Sequence, residues 1–276
     1  MKNEAFLDYY IDNGKECKTE NQEAFLKISP PIVYEVIRVI DGVPLFLEEH
    51  LERMRKSATL LDVLIEKSDE AIKNEINRLI KINHCNNMNV KLLCSNLKEG
   101  KQDFLVYFIK SNYPEKEIYE KGIHTILYDC ERKNPNAKVI NTSFREHVNE
   151  QIKKYDAFEA LLVNKEGIIT EGSRSNMFFV KDQEVFTAPP KDVLLGVTRN
   201  RIMKVCKDLN IAVKEEAIRV GDIKNLTGAF MSGTSVNVLP VRSIDDRALD
   251  SVHNQIILKI SKGYIQEMEN YINARA

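Results

Sequence analysis

The chain has 276 residues, of which 43% are hydrophobic and 29% charged, and it contains no tryptophan. This length and composition are typical of a soluble globular protein with one large domain or two moderate ones. A net charge of −1 excludes a whole-protein field that would recruit nucleic acid, an acidic membrane or a highly charged substrate, so any bound anion needs a local site.

The first half of the chain predicts a small α+β unit. Residues 33–40 are rich in β-branched side chains, and the Asp41-Gly42 pair that follows is the strongest short signal for a hairpin turn. Apolar residues then recur at helical spacing from Leu51 to Leu61, and Ser68-Asp69 offers good N-cap residues for a second helix. The expected elements are a strand at 33–40, a partner strand at 43–47, a helix from Glu48, a helix from Ser68-Asp69, and strands at about 89–95 and 103–110.

A polar stretch at 113–116 contains Pro114 and interrupts the hydrophobic pattern, which indicates a linker between two domains. We therefore expect a small N-terminal α/β domain at 1–112 and a larger C-terminal domain at 117–276 that carries Lys138. The elements expected in the second half are a strand at 123–128, a helix at 142–155, strands at 157–164, 176–181 and 184–187, a helix at 198–209, strands at 229–232 and 239–243, and a last helix at 250–272.

Membrane, disulfide and metal sites are not favoured by the sequence. The longest apolar run, 104–109, is far shorter than the roughly 20 residues that a membrane helix needs, and the N-terminus lacks the apolar region of a signal peptide. The five cysteines are scattered and form no CxxC pair, and the five histidines show no metal-ligand spacing. We expect a cytoplasmic protein with reduced thiols and without a metal.

Lys138 is a candidate for covalent chemistry. It follows a loop and stands among apolar residues, Ala137 before it and Val139 and Ile140 after it. Desolvation in such a setting lowers the pKa of a lysine toward the neutral amine that Schiff-base formation requires. Taken by itself, an ordinary surface lysine at a strand end is the commoner explanation, since lysines are rarely buried.

An acid follows in the sequence, at the end of a strand. Glu171 precedes Gly172, and a carboxylate that faces a pyridine nitrogen keeps that nitrogen protonated and makes the ring an electron sink. A turn acid between two strands is the commoner role of such a residue. Ser175 and Asn176 can hydrogen-bond ring substituents or, more commonly, cap the turn.

Two glycine–threonine segments suggest a phosphate site. Val197 and Thr198 stand at the start of a predicted helix, where unpaired N–H groups and the positive end of the dipole attract phosphate, although Thr198 can also be a simple N-cap. Gly233 and Thr234 follow an apolar strand and can close around the same phosphate or form an ordinary turn. Arg53 on the first helix can add a fixed positive charge, but a solvated helix arginine is commoner.

These residues are informative as an ordered set. An amine, an acid and two phosphate-type turns, in this order, are what a chain needs to hold pyridoxal 5′-phosphate. No single residue is diagnostic. The sequence therefore predicts pyridoxal 5′-phosphate as the cofactor.

The set resembles the class IV aminotransferases, which are pyridoxal-phosphate enzymes of fold type IV and include branched-chain aminotransferases, D-amino acid aminotransferases and aminodeoxychorismate lyases. The resemblance extends in collinear order from about Tyr34 to Asp245. The segments that carry it are the strand YEVIR at 34–38, His50 to Arg53, Lys138 with Asn141, TEGSRSN at 170–176, GVTR at 196–199, SGTS at 232–235 and PVR at 240–242.

The resemblance implies a fold class, α+β or α/β, with a small N-terminal α/β domain, a larger C-terminal domain, the cofactor in the cleft between them, and a homodimer. It implies that Lys138 is the catalytic lysine and that Glu171 faces the ring nitrogen. The residues that we expect to bind the cofactor are Arg53, Lys138, Glu171, Ser175, Asn176, Val197, Thr198, Gly233 and Thr234.

Departures from the family pattern concern the substrate. The strand at 91–95 has no arginine, although some members use one there to hold the substrate carboxylate, and Ser143 stands where branched-chain enzymes carry a tyrosine that touches the cofactor. Arg174 occupies a position that is usually small. The residues that we assign to substrate binding are Tyr34, Arg38, Arg145, Arg174 and Ser235.

The expected function is an aminotransferase that moves an amino group between an amino acid, branched-chain-like or D, and a 2-oxo acid by a ping-pong mechanism. One alternative is an aminodeoxychorismate lyase that releases 4-aminobenzoate and pyruvate, because it needs the same lysine and cofactor. A minor alternative is a non-catalytic dimer that kept the fold, whose signature would be loss of Lys138 or Glu171; both are present.

Overall fold

The computed structural model describes residues 3–97, 101–132 and 135–275, which fold as two compact units. The first unit contains Met1–Asn112, Ala137–Ile140 and Glu269–Ala276, and the second contains Tyr113–Asn136 and Asn141–Met268. The strands are β1 (Ala5–Asp12), β2 (Lys15–Lys18), β3 (Val33–Ile40), β4 (Val43–Pro44), β5 (Met88–Ser95), β6 (Asp103–Ile109), β7 (Ile123–Asp129), β8 (Glu159–Val163), β9 (Ile168–Gly172), β10 (Asn176–Lys181), β11 (Glu184–Phe186), β12 (Val213–Lys214), β13 (Ile218–Arg219), β14 (Gly228–Gly233), β15 (Asn237–Ile244) and β16 (Arg247–Ala248). The helices are α1 (Glu23–Leu26), α2 (Leu47–Thr59), α3 (Asp69–Asn83), α4 (Lys116–Lys121), α5 (Thr142–Lys154), α6 (Val197–Asp208) and α7 (Gln255–Asn273).

A six-stranded antiparallel sheet forms the first unit, in the order β2-β1-β6-β5-β3-β4. In β3, buried and half-buried side chains alternate, and the buried face packs with α2 and α3 in one hydrophobic core. The predicted hairpin after β3 is confirmed, because Asp41 and Gly42 have φ values of 51° and 80°. Both central residues of a type I′ turn require a positive φ.

The two predicted helices of this unit are confirmed. Met54 and Ala58 lie on the buried face of α2, and the Ser68 side chain accepts a hydrogen bond from the N–H of Ala71 at the start of α3, at 3.2 Å. α2 ends at Thr59, so Leu61 lies beyond the helix, although it still packs against the core.

The partner strand predicted at 43–47 is wrong in length. It ends at Pro44, and α2 begins three residues later at Leu47. Phe46 adopts a left-handed conformation with a φ of 54°, which turns the chain from the strand into the helix. β1 and β2, which were not predicted, extend the sheet beyond β6.

A ten-stranded mixed sheet forms the second unit, in the order β12-β11-β10-β14-β15-β7-β8-β9-β13 with β16 paired to β15. β7 runs parallel to both of its neighbours, β15 and β8. α6 and α7 approach closely at Gly263, where a Cβ atom would lie 2.6 Å from Val205 Cγ1. Glycine at this position therefore sets how near the two helices pack.

Helix starts in the second unit differ from the prediction by a few residues. α7 begins at Gln255 and not at Asp250, because the Asn254 side chain caps it by accepting hydrogen bonds from the N–H groups of Ile256 and Ile257 at 3.0 and 3.2 Å. α6 begins at Val197, with Gly196 as its N-cap.

Nowhere in the described parts of the chain is a helix both long enough and apolar enough to span a bilayer.

The segment with Lys138 belongs to the first unit, whereas the sequence assigned it to the C-terminal domain. The reason is pairing with the chain at the start of β3. The N–H of Tyr34 donates to the carbonyl of Lys138 and the N–H of Ile140 to the carbonyl of Ile32, both at 3.3 Å. The division into a small domain, a linker and a larger domain otherwise stays a prediction.

Candidate functional site

Lys138 is fixed on two sides within the first unit. Its carbonyl pairs with β3, and its N–H donates to Ser57 Oγ on α2 at 3.1 Å. The side chain is half-buried, and its Nζ lies 4.8 Å from the centre of the Tyr34 ring. The backbone is thus held by a strand and a helix while the amine rests on an aromatic face.

Arg53 lies in a buried ionic cluster. Its Nε and Nη2 donate to the two oxygens of Glu35 at 2.7 and 2.6 Å, a bidentate pair, and His50 Nδ1 lies 2.8 Å from Glu35 Oε2. Glu35 is fully buried. This carboxylate on β3 therefore holds the Arg53 guanidinium in one orientation.

The charges of this cluster shift the pKa of two groups. Burial acts to raise the pKa of Glu35, but Arg53 and His50 outweigh it and hold the pKa at about 2. Burial is also the main reason why the pKa of His50 is lowered, and the positive charges of Arg53 and Lys138 add to this while Glu35 opposes it. The carboxylate and a neutral histidine are the expected forms at neutral pH.

Another lysine of the first unit, Lys91, also has its amine close to the Tyr34 ring. Lys91 on β5 is 6% exposed, and its Nζ lies 5.2 Å from the same Tyr34 ring centre. Glu4 forms an ion pair with it. The sequence drew attention to the missing arginine in this strand; the structure places a lysine of the strand close to Tyr34.

In the second unit, Glu171 lies near the end of β9 and is 3% exposed. Arg132 Nη1 donates to its Oε1 at 2.7 Å, and the N–H of Leu194 donates to its Oε2 at 3.0 Å. These two donors fix the plane of the carboxylate. Neither was predicted, because both come from loops far from Glu171 in the sequence.

The start of α6 is suited to an anion. The N-cap, Gly196, makes no side-chain cap bond, and Val197 and Thr198 are only 4% and 6% exposed. The first N–H groups of a helix have no acceptor inside the helix, so a buried helix start needs one from outside. A phosphate supplies it. A Cβ at Gly196 would lie 2.2 Å from Asn176 Oδ1, so only glycine fits.

Asn176 brings the predicted segments of the second unit together. Its Nδ2 donates to the carbonyl of Leu194 at 2.8 Å, and its backbone pairs with Ser232 on β14. Gly233 and Thr234 follow directly, and a Cβ at Gly233 would lie 4.0 Å from the carbonyl of Arg174. The acid, the helix start and the Ser-Gly-Thr turn thus lie around one asparagine. One acid and two groups of backbone N–H donors together fit a phosphorylated pyridine such as pyridoxal 5′-phosphate.

Ser175 has a role that the sequence did not reveal. Its Oγ donates to Glu159 Oε2 at 3.0 Å, inside the protein. Glu159 is 2% exposed and accepts several hydrogen bonds from the turn after Glu171. An acid at a buried strand position next to Ala160 was a signal that a set of donors must surround it.

The residues assigned to substrate binding are distributed over both units. Tyr34 and Arg38 lie half-buried on the same face of β3, and Tyr34 also contacts Lys138. Arg145 is half-buried on α5, Arg174 is exposed in the turn after β9, and Ser235 is half-buried after β14. Their assignment stays a prediction.

Comparison with known proteins identifies relatives over most of the chain. Residues 32–244 match the sequence model of a family described as amino-transferase class IV. A D-alanine aminotransferase of Bacillus licheniformis is 27% identical over 230 residues, which cover 79% of this chain and 81% of that protein. A probable branched-chain-amino-acid aminotransferase of Rickettsia felis is 29% identical over 245 residues, 84% of each chain.

Solved structures give the same result for the fold. The branched-chain amino acid aminotransferase from Escherichia coli has a TM-score of 0.82 at 23% identity and covers 95% of this chain and 95% of that one. A putative 4-amino-4-deoxychorismate lyase from Legionella pneumophila has a TM-score of 0.78 at 21% identity, with coverages of 87% and 91%. At such identities the likeness concerns the fold, and it confirms the fold class expected from the sequence.

Proposed function

Because the chain belongs to the class IV aminotransferases, enzymes that use pyridoxal 5′-phosphate, we propose that it binds this cofactor and transfers an amino group from an amino acid to a 2-oxo acid in two half-reactions. The observation that carries the proposal is the arrangement around Asn176, where a buried acid, a helix start and a Ser-Gly-Thr turn meet. The acid can face a pyridine nitrogen, and the helix start and the turn can hold a phosphate.

The cofactor, when bound, supplies an aldehyde that condenses with amines and a ring that accepts the electron pair released at the substrate Cα. We assign its phosphate to the N–H groups of Val197 and Thr198 and to the Gly233–Thr234 turn. We also assign Arg53 to the phosphate, with its guanidinium oriented by Glu35. Ser175 and Asn176 contribute by shaping the turn, since their side chains are bonded to Glu159 and Leu194.

Lys138 Nζ is the amine that we assign to the covalent bond with the cofactor. As a neutral amine, Lys138 Nζ would also be the base that removes the proton from the substrate Cα. The hydrogen bond from its backbone N–H to Ser57 and its pairing with β3 hold the Lys138 backbone in place for this role. Tyr34 supplies the face on which the amine rests.

Glu171 has the role of holding a proton on the ring nitrogen. Its two oxygens accept hydrogen bonds from Arg132 and from the N–H of Leu194. A carboxylate offers about four lone-pair positions, so a further bond from a ring N–H can be accepted. The fixed carboxylate then stabilises positive charge at that nitrogen while the Cα proton is removed.

The amino donor is the finer part of the proposal. Relatives named as D-alanine and as branched-chain aminotransferases match at 27% and 29% identity, so both donor classes are supported to the same degree. We assign Tyr34, Arg38, Arg145, Arg174 and Ser235 to the substrate. A cytoplasmic location and a homodimer are also proposed; the five cysteines are free thiols, in keeping with a reducing compartment.

One spectroscopic experiment tests the function. Protein loaded with pyridoxal 5′-phosphate is mixed with L- and D-alanine, L- and D-leucine, and aminodeoxychorismate, and the conversion of the pyridoxal to the pyridoxamine spectrum is followed. We expect conversion by D-alanine or by L-leucine, with the pyridoxal spectrum restored by a 2-oxo acid.

Two results would contradict the proposal. Release of pyruvate from aminodeoxychorismate without a 2-oxo acid, and no conversion by any amino acid, would show the lyase reaction. A protein that stays colourless with added cofactor would show a fold kept without the chemistry.

A further inference from the structure

Glu159 is a buried carboxylate held by neutral donors. It begins β8 and is 2% exposed. Oε1 accepts bonds from the N–H of Ala160 at 2.9 Å, the N–H of Ser173 at 3.1 Å and the Ser173 hydroxyl at 2.6 Å. Oε2 accepts bonds from the N–H of Arg174 at 3.3 Å and the Ser175 hydroxyl at 3.0 Å. A buried charge is costly, so donors in this number indicate a built arrangement.

Most of these donors belong to the turn that follows Glu171 and Gly172. The turn is closed by a bond of 2.8 Å from the N–H of Gly172 to the carbonyl of Ser175. A Cβ at Gly172 would lie 2.1 Å from Ser175 Oγ and 3.1 Å from Glu159 Cγ. The carboxylate therefore packs directly against the turn, and only glycine leaves room for it.

The turn is connected through hydrogen bonds to two parts of the candidate site. Glu171 precedes the turn and Asn176 follows it, and both bind Leu194: the N–H of Leu194 donates to Glu171, and its carbonyl accepts from Asn176. Asn176 Oδ1 also lies where a side chain of Gly196 would be, at the start of α6. A shift of the turn would thus move the acid and the helix start together.

We propose that Glu159 is a positioning residue for cofactor binding. By accepting hydrogen bonds from the turn at 173–175, it fixes the positions of the Glu171 carboxylate and of the start of α6. This inference rests on the proposed function. A carboxylate is required because it only accepts hydrogen bonds. The amide of a glutamine at this position would turn its NH₂ group toward the N–H of Arg174 or toward donors on the other side, and a buried donor would lose its acceptor.

Glu159→Gln tests the inference by cofactor binding and not by turnover. Apoprotein is titrated with pyridoxal 5′-phosphate by absorbance, the pH midpoint of the bound cofactor's visible band is determined, and the unfolding midpoint of the apoprotein is measured. We expect affinity to fall roughly tenfold, the effect of one unsatisfied buried donor, and the pH midpoint to move, because Glu171 is no longer held in place.

Ser251→Ala is the matched control. Ser251 is fully buried in the same unit, accepts a bond from the N–H of Ala229 at 2.9 Å and donates to the carbonyl of Val241. Its loss lowers the unfolding midpoint while leaving cofactor affinity and the pH midpoint unchanged. Equal losses of affinity in Glu159→Gln and Ser251→Ala would reduce Glu159 to a stability role and overturn the inference.

Ser175→Ala covers the case in which Glu159→Gln does not fold. It removes one donor to Glu159 Oε2 and keeps the acid, so affinity is expected to fall by a few-fold in the same direction. If the folded variants kept the affinity and the pH midpoint of the wild-type protein, the inference would be overturned. The proposed function would still stand, because the wild-type protein would bind the cofactor. Failure of the wild-type protein to bind the cofactor would instead remove both.

Discussion

Glu35 illustrates how a single residue can contradict the pattern of its own strand. β3 alternates between buried and half-buried positions, and Glu35 occupies a buried one between Val33 and Ile37. A charge there is tolerated only with partners, and these partners are Arg53 and His50 on α2. An acid at a core position of an alternating strand was a readable signal that the neighbouring helix must present a cation.

The pH dependence of stability should report this cluster. The folded-state pKa of Glu35, about 2, lies below its ordinary value of 4.5, so its stabilising contribution is complete above pH 4.5 and is lost as the pH falls through about 2. Glu35→Gln removes the charge that Arg53 binds and should lower the free energy of unfolding by roughly 3 kcal/mol at pH 7. Urea unfolding at pH 7 and at pH 3 measures both effects.

Glu52→Gln is the control on the same helix. Glu52 pairs with Lys56 on the exposed side of α2, with both side chains more than half exposed. Loss of the Glu52 charge should therefore change the free energy of unfolding by less than about 0.5 kcal/mol. If wild-type protein and Glu35→Gln lost the same free energy of unfolding between pH 7 and pH 3, the stabilising role of the buried cluster would be disproved.

At the scale of elements, patterns that are local in the sequence were predictable. β10 has the bounds that were predicted, α3 has its cap at Ser68, and the hairpin turn lies at Asp41 and Gly42. β1 was missed because its alternation is interrupted: its register with β6 shifts between Phe6 and Ile11. A strand with such an irregularity does not show a clear period of two.

The candidate site shows the same division between local and distant information. Glu171 and the start of α6 were selected as candidates from the sequence because each is part of a compact motif. Their partners could not, since Arg132 lies 39 residues before Glu171 and Leu194 lies 23 residues after it. Which distant loop supplies a donor depends on the path of the chain through the ten-stranded sheet, and no periodicity encodes that path.

Gly196→Ala tests the role of the α6 start. The new Cβ would lie 2.2 Å from Asn176 Oδ1, so the helix start or the asparagine must move. We expect affinity for pyridoxal 5′-phosphate to fall by at least about tenfold, because the N–H groups that bind a phosphate are displaced. Titration of the apoprotein with the cofactor measures this.

Gly221→Ala provides the comparison for a glycine without close neighbours. A Cβ at this position would meet nothing within 4 Å, so cofactor affinity should equal that of the wild type. The assignment of the phosphate to α6 would fail if Gly196→Ala bound the cofactor as tightly as Gly221→Ala.

At the scale of the whole molecule, the proposal of a homodimer makes a prediction about mass. Resemblance to the class IV family implies that two chains associate. Sedimentation velocity at micromolar concentration should therefore give twice the mass of the chain, both with and without cofactor. A monomer that binds the cofactor and transaminates would show that one chain is sufficient.

The central claim is the covalent role of Lys138, and reduction of the loaded protein tests it most directly. Borohydride fixes the cofactor on the lysine that holds it, and peptide mapping by mass spectrometry then identifies that residue. Lys91 is the natural competitor, because its amine lies over the same Tyr34 ring. We predict a phosphopyridoxyl group on Lys138, absent from Lys138→Ala; a label on Lys91, or no label on any lysine, would contradict this claim.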